Sequence, residues 1–206
     1  TSRCQAAAGT TMSTLAPILA VSPESLAQAA ALLRSDKVCA FPTETAYGLG
    51  ANAQSEQAVL RIYELKGRPR HNPLIVHVAD LAQAQRVTTG WSLLADRLAQ
   101  RFWPGPLSLV LPRGPQIPAL VSAGLSTVAV RVPAHPVALA LLRAVDLPLA
   151  APSANKSESV SPTTAQHVQR SLPQVPLILD GGPCRLGIES TVVDLTASPP
   201  RLLRPG

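Results

Sequence analysis

The chain has 206 residues, 46% of them hydrophobic and 15% charged, which excludes a solvated disordered chain and supplies apolar mass for one substantial core. A formal charge of +6 and a pI near 9.9 point to an anionic partner. No apolar run reaches the ~20 residues that a bilayer-crossing helix needs, so a soluble chain is expected.

Aromatic residues make up only 3%, and Lys37 and Lys156 are the only lysines away from Lys66. Nucleic-acid surfaces usually interleave clustered cations with stacking aromatics, so the charge suits a small polyphosphate first and RNA second. Cys4, Cys39 and Cys184 lack metal-ligand spacing and cannot all pair, which suits a reducing cytoplasm.

Residues 1–14 are rich in Ala, Ser and Thr and lack the apolar core of a secretory signal. Met12 is a plausible native start, and this stretch is set aside as an extension, leaving 15–206 as one domain. Pro17 to Val21 reads as a short strand. Ser22 as N-cap, Pro23 at the first helical position and Glu24 in the first turn predict a helix to about Arg34, with Leu26, Ala29, Ala30 and Leu33 as its buried stripe.

Val38 to Phe41 reads as a buried strand, followed by Pro42-Thr43-Glu44-Thr45-Ala46-Tyr47-Gly48-Leu49-Gly50 as a polar opening with glycines for close backbone approach. A helix carrying Leu60 and Leu65 is expected from Ser55-Glu56 to Lys66-Gly67. Leu74 to Val78 is a strand with His77 inside its apolar run, and short helices are predicted over Leu81 to Arg86 and Trp91 to Phe102. Leu107 to Leu111 and Thr127 to Val132 read as strands, the second through its β-branched residues.

His135-Pro136 opens a helix to about Val145, and Leu147 to Ala151 is a strand leading into the long polar loop from Pro152 to Pro162. Thr163 or Thr164 caps a helix through Arg170. Leu177 to Asp180, Val192 to Leu195 and Arg201 to Arg204 complete the strands. The alternation of elements and the 21 prolines indicate a mixed α/β chain of short elements rather than a helical bundle.

Two polar stretches carry the candidate chemistry. Lys66-Gly67-Arg68-Pro69-Arg70 places three cations within five residues, and guanidinium forks with an ammonium suit phosphate oxygens. Ser153-Ala154-Asn155, with Ser157, Ser159 and Ser161 behind it, offers hydroxyls, an amide and backbone donors past a strand end. Neither stretch is a Walker loop or a dinucleotide fingerprint. Gly187-Ile188-Glu189-Ser190-Thr191 has no second carboxylate at helical spacing, and no serine sits in a nucleophile elbow.

Together these blocks, with Asn72-Pro73-Leu74, Ser161-Pro162-Thr163 and Val192-Val193-Asp194, resemble the YrdC/Sua5 family of threonylcarbamoyl-adenylate synthases from about residue 18 onward. The resemblance implies a twisted open mixed sheet flanked by helices, with a concave basic face. It implies ATP, L-threonine and bicarbonate as substrates, with Mg²⁺ assisting and threonylcarbamoyl-AMP and pyrophosphate as products. A partner transferase complex would then modify adenosine 37 of tRNAs reading codons that begin with A. An RNA-binding member without catalysis is the alternative.

Carried over by motif, Lys66 and Arg68 are the catalytic cations, and Lys66, Arg68, Arg70, Thr127, Ser153, Asn155, Ser161 and Arg204 form the ATP site. Thr43, His77, Arg131, Ala151 and Thr191 form the threonine site. Two features depart from the family pattern. Glu158 stands where relatives usually carry Gly, and the sequence stops at Arg204-Pro205-Gly206 where relatives usually continue.

Overall fold

A computed structural model describes residues 15–206; the segment set aside above, 1–14, lies outside the described residues. In chain order the elements are β1 (Ile18–Ala20), α1 (Pro23–Arg34), β2 (Cys39–Phe41), β3 (Gly48–Asn52), α2 (Glu56–Lys66), β4 (Ile75–His77), α3 (Leu81–Val87) and α4 (Leu93–Phe102). There follow β5 (Leu107–Pro112), β6 (Thr127–Arg131), α5 (Pro136–Val145), β7 (Leu149–Ala150), α6 (Ala165–Ser171), β8 (Ile178–Asp180), β9 (Thr191–Asp194) and β10 (Arg201–Arg204).

Every helix begins on a side chain that accepts an otherwise orphaned backbone N–H. Ser22 and Ser25 cap α1 reciprocally, Ser55 caps α2, Asp80 α3, Ser92 α4, His135 α5 and Thr164 α6. Gly67 ends α2 at φ +58°, the left-handed conformation that an achiral residue adopts without strain. The buried face of α2 is Ala58, Val59, Ile62, Tyr63 and Lys66, while Leu60 and Leu65 are half-buried. This face carries the lysine inward.

Among the described residues the strands form one mixed sheet in the order β1-β8-β2-β3-β7-β4-β6-β5-β9-β10, with β1 and β10 at opposite edges, so the sheet is open. Neighbours β1/β8, β8/β2, β4/β6 and β5/β9 are parallel and the others antiparallel. The strand over residues 48–52 was not expected, since Gly48, Gly50 and Asn52 have low strand propensity. Close packing of Phe41 explains it: a Cβ on Gly50 would lie 2.7 Å from the Phe41 ring, so only glycine lets the β2 ring cross its neighbour.

Two cores lie on opposite faces. α2, α3, α4 and α6 bury one face with Val76, Leu109, Leu111, Val128 and Val130. On the other, α1 and α5 cover Cys39, Phe41, Leu149, Leu177 and Leu179. That pair of helices reaches only the β8-β2-β7 end of its face. The opposite end, from β4 to β9, stays concave and uncovered.

Candidate active-site cleft

A cavity of about 570 Å³ occupies the uncovered face. Strand periodicity builds it: Ile75 and His77 on β4, Thr127, Ala129 and Arg131 on β6, Val110 on β5, and Val192 and Asp194 on β9 line it, while the residues between them enter the core. Thr127-Val128-Ala129-Val130-Arg131 is thus a clean alternation once the faces are known. His77 and Arg131 are register partners on parallel strands, side by side on the cavity floor.

Arg131 is a buried cation, at 3% exposure. Its Nε donates to Gly105 O (3.2 Å), Nη1 to Thr45 Oγ1 (3.1 Å) and Nη2 to Glu44 Oε1 (2.5 Å). A guanidinium has five N–H donors, so one remains on each terminal nitrogen. Thr43 Oγ1 donates to Ala46 O (2.6 Å) and lies 2.9 Å from Thr45 Oγ1, so Thr45 must donate to Thr43. A directed chain runs from Arg131 through Thr45 and Thr43 to Ala46. The Thr43 hydroxyl also accepts from Thr45 N and Ala46 N, which makes it the centre of the turn it begins.

His77 Nδ1 lies 3.3 Å from Ile75 O, and a carbonyl only accepts, so Nδ1 carries the proton and Nε2 is the acceptor. Burial, followed by the charge of Arg131, pushes the imidazole down to about 3, so it is neutral at physiological pH. Ala151 sits at the end of β7, its N–H bonded to Ile75 O (3.0 Å).

The basic turn divides. Arg68 lines the cavity, anchored by Nε to Asn72 O (3.2 Å) and Nη2 to Pro73 O (3.0 Å). Arg70 is exposed and away from the cleft. Lys66 is 3% exposed, and its ammonium donates to Ser153 O (2.6 Å) and to Asn155 O, while its own carbonyl accepts from Ser157 N (3.0 Å). Lys66 therefore braces the serine loop. Burial, then the charge of Arg68, lowers its pKa to about 8.

Tyr47 clamps the same loop at both ends: its N–H donates to Pro162 O (2.9 Å) and its carbonyl accepts from Ala154 N (2.7 Å). Within the loop, Ser153 faces the cavity. Asn155 is turned inward, its Nδ2 donating to Lys156 O and Ser159 O, and its Oδ1 and the Ser157 Oγ are buried with no partner among the described residues. Glu158 has φ +66°, a left-handed conformation that glycine adopts without strain.

Ser161 reaches the cavity wall indirectly, donating to Glu189 Oε1 (2.6 Å), whose Oε2 lies 3.9 Å from Arg204 Nη2. Arg204 lines the cavity and also donates to Ser190 O (2.9 Å) and Ser190 Oγ (3.1 Å). Thr191 points away, because Val192 and Asp194 take the cavity side of β9; its Oγ1 accepts from Gly206 N (3.1 Å).

Of the proposed threonine set, the structure thus gathers Thr43, His77, Arg131 and Ala151, and not Thr191. From the nucleotide set it gathers Arg68, Thr127, Ser153 and Arg204 at the wall, and leaves Lys66, Arg70, Asn155 and Ser161 off it. Sequence reasoning passed over Glu44, Thr45, Tyr47 and Asp194. Glu44 and Tyr47 sit inside the opening motif, and their burial was the missing signal.

An open α/β sheet whose bare concave face gathers three arginines, two carboxylates and a neutral histidine around one cavity defines a candidate site for a polar ligand. The Sua5/YciO/YrdC family model, described as telomere recombination, matches residues 31–206. The threonylcarbamoyl-AMP synthase of Pyrococcus abyssi is 54% identical over 179 residues, covering 86% of this chain and 53% of that protein. That of Bacillus subtilis is 54% identical over 190 residues, covering 91% and 55%. The crystal structure of P. abyssi Sua5 complexed with L-threonine matches with a TM-score of 0.90 at 50% identity, over 92% of this chain and 57% of that one. The chain belongs to the Sua5/YciO/YrdC family. It spans about half the length of these relatives.

Proposed function

We propose that this chain is an L-threonylcarbamoyladenylate synthase. The supporting observation is one cavity that brings Arg131, His77 and Ala151 beside Arg68, Thr127, Ser153 and Arg204, in a chain about half identical to proteins named threonylcarbamoyl-AMP synthase. The two spare N–H groups of Arg131 take the carboxylate of threonine, and the neutral His77 accepts from its amine or hydroxyl. Arg68 and Arg204 take ATP phosphates, with Ser153 and Thr127 beside them, and Lys66 adds its charge from beneath the loop it braces.

In the reaction, the threonine amine attacks bicarbonate to give a carbamate with loss of water. A carbamate oxygen then attacks the α-phosphorus of ATP, forming the threonylcarbamoyl–AMP anhydride and releasing pyrophosphate. The cavity's role is to align the two reactants and neutralise charge on the departing pyrophosphate. Glu189 and Asp194 are carboxylates at the wall and would help hold an Mg²⁺ ion arriving on ATP, since Mg²⁺ is commonly held by phosphates and water with one or two carboxylates. It would supply further charge neutralisation there.

Incubation with ATP, labelled bicarbonate and L-threonine should give threonine-dependent pyrophosphate and a labelled adduct in equal amounts. Neither product from folded protein would overturn the proposal. Transfer of the product to adenosine 37 of tRNA by a separate complex, in the cytoplasm, is proposed as the next step. The formal charge of +6 favours RNA binding without catalysis as the second reading. Salt-sensitive RNA binding with no affinity for ATP or threonine would select it.

A further inference from the structure

We propose that Glu44 is a positioning residue for the amino-acid end of the cleft, acting through Arg131. The inference rests on the threonine reading above. Glu44 is 3% exposed and uses both carboxylate oxygens: Oε1 accepts from Arg131 Nη2 at 2.5 Å, and Oε2 accepts from the Ala134 N–H at 3.0 Å. Its backbone carbonyl accepts from Leu186 N (2.9 Å). One residue thereby ties the 43–46 turn to the end of β6 and to the segment preceding β9.

A buried ion pair contributes little net stability, because desolvation offsets most of the attraction. Its value lies in geometry. Arg131 is held on three sides by Glu44, Thr45 and Gly105, which leaves its terminal nitrogens one donor each in a fixed orientation. A long guanidinium side chain otherwise loses much rotamer freedom on gripping a ligand, and prior fixation removes that cost from binding.

Glu44 also cancels the formal charge of Arg131, so this end of the cleft is nearly neutral. Attraction for a carboxylate then depends on aimed hydrogen bonds rather than on net field. A zwitterionic amino acid, which is itself neutral, suits such a site better than a free dianion.

The test compares wild type with Glu44→Gln, Glu44→Asp and Thr45→Val. Glutamine keeps the shape but offers one acceptor, so either Arg131 or the Ala134 N–H faces an amide donor. Glu44→Gln should raise the threonine KM and Kd about tenfold, with the ATP KM moving less than about threefold. Thr45→Val, which removes a neutral acceptor and leaves the ion pair, should act in the same direction more weakly. Glu44→Asp should recover part of the affinity.

An unchanged or tighter threonine Kd in Glu44→Gln overturns the proposal, since Glu44 would then only neutralise Arg131. Equal loss of ATP and threonine affinity in both Glu44→Gln and Thr45→Val overturns it also, as support of the fold alone. Wild-type protein that binds threonine without turnover refutes the proposed activity by itself, and the Kd comparison still decides Glu44. Wild-type protein that binds no threonine refutes both.

Discussion

At the residue scale, His77 shows how a strand decides between a core residue and a site residue. Its burial and the nearby Arg131 hold the imidazole near 3, whereas an unfolded histidine titrates near 6.5. Between those values the unfolded chain binds the extra proton, so stability is fully present above about pH 6.5 and is lost as pH falls. Between pH 7 and pH 5 this single group should remove about 2 kcal/mol. Urea unfolding at the two pH values checks it: His77→Gln should lose about that much less than wild type, and equal losses would refute the assignment. In sequence, His77 inside an apolar run, taken alone, reads more often as a core histidine than as a ligand, and the parity of β4 resolves it. Glu44 was illegible for a different reason: its partner Arg131 lies 87 residues away, and no local period announces a buried ion pair.

At the scale of elements, helices were legible because each carries a capping residue and an amphipathic stripe, two signals local to the chain. β3 was not, because glycine weakens strand propensity and the compensation comes from Phe41 on the neighbouring strand. Gly50→Ala should therefore destabilise the protein by about 1–3 kcal/mol through overpacking, since the Phe41 ring is fully buried and has nowhere to move. Phe41→Leu also costs stability, yet the double variant should cost less than the sum of the two. Chemical denaturation of all four proteins measures that coupling, and strict additivity would remove Phe41 as the reason for the glycine. The serine loop is an intermediate case. Glu158 was legible as a departure from the family pattern, but only its φ of +66° explains why glycine suits the position.

At the scale of the whole molecule, the α/β class was legible from the order of elements, and the mixed open sheet with its concave face only through the family blocks. What divides the face was not: α1 and α5 stop short of β4, β6, β5 and β9, and this uncovered end is the cleft. Because members of both proposed ligand sets, Arg131 and His77 of one and Arg68, Ser153 and Arg204 of the other, line one cavity of about 570 Å³, their binding should be coupled. Two effects compete in setting the sign. ATP phosphates oppose the threonine carboxylate, but threonine is a net-neutral zwitterion and Glu44 already balances Arg131, so this repulsion is small. Against it, nucleotide bound at Ser153 immobilises the loop braced by Lys66 and Tyr47 and displaces water from the shared wall, so threonine meets a more ordered site. Ordering should win, with each ligand tightening the other by about 5- to 20-fold. Calorimetric titration of threonine with and without α,β-methylene-ATP, and of the analogue with and without threonine, measures it. Linkage requires the two factors to be equal. Independent binding in both directions would place the ligands in separate sites and break the reading of the cleft as one reaction chamber.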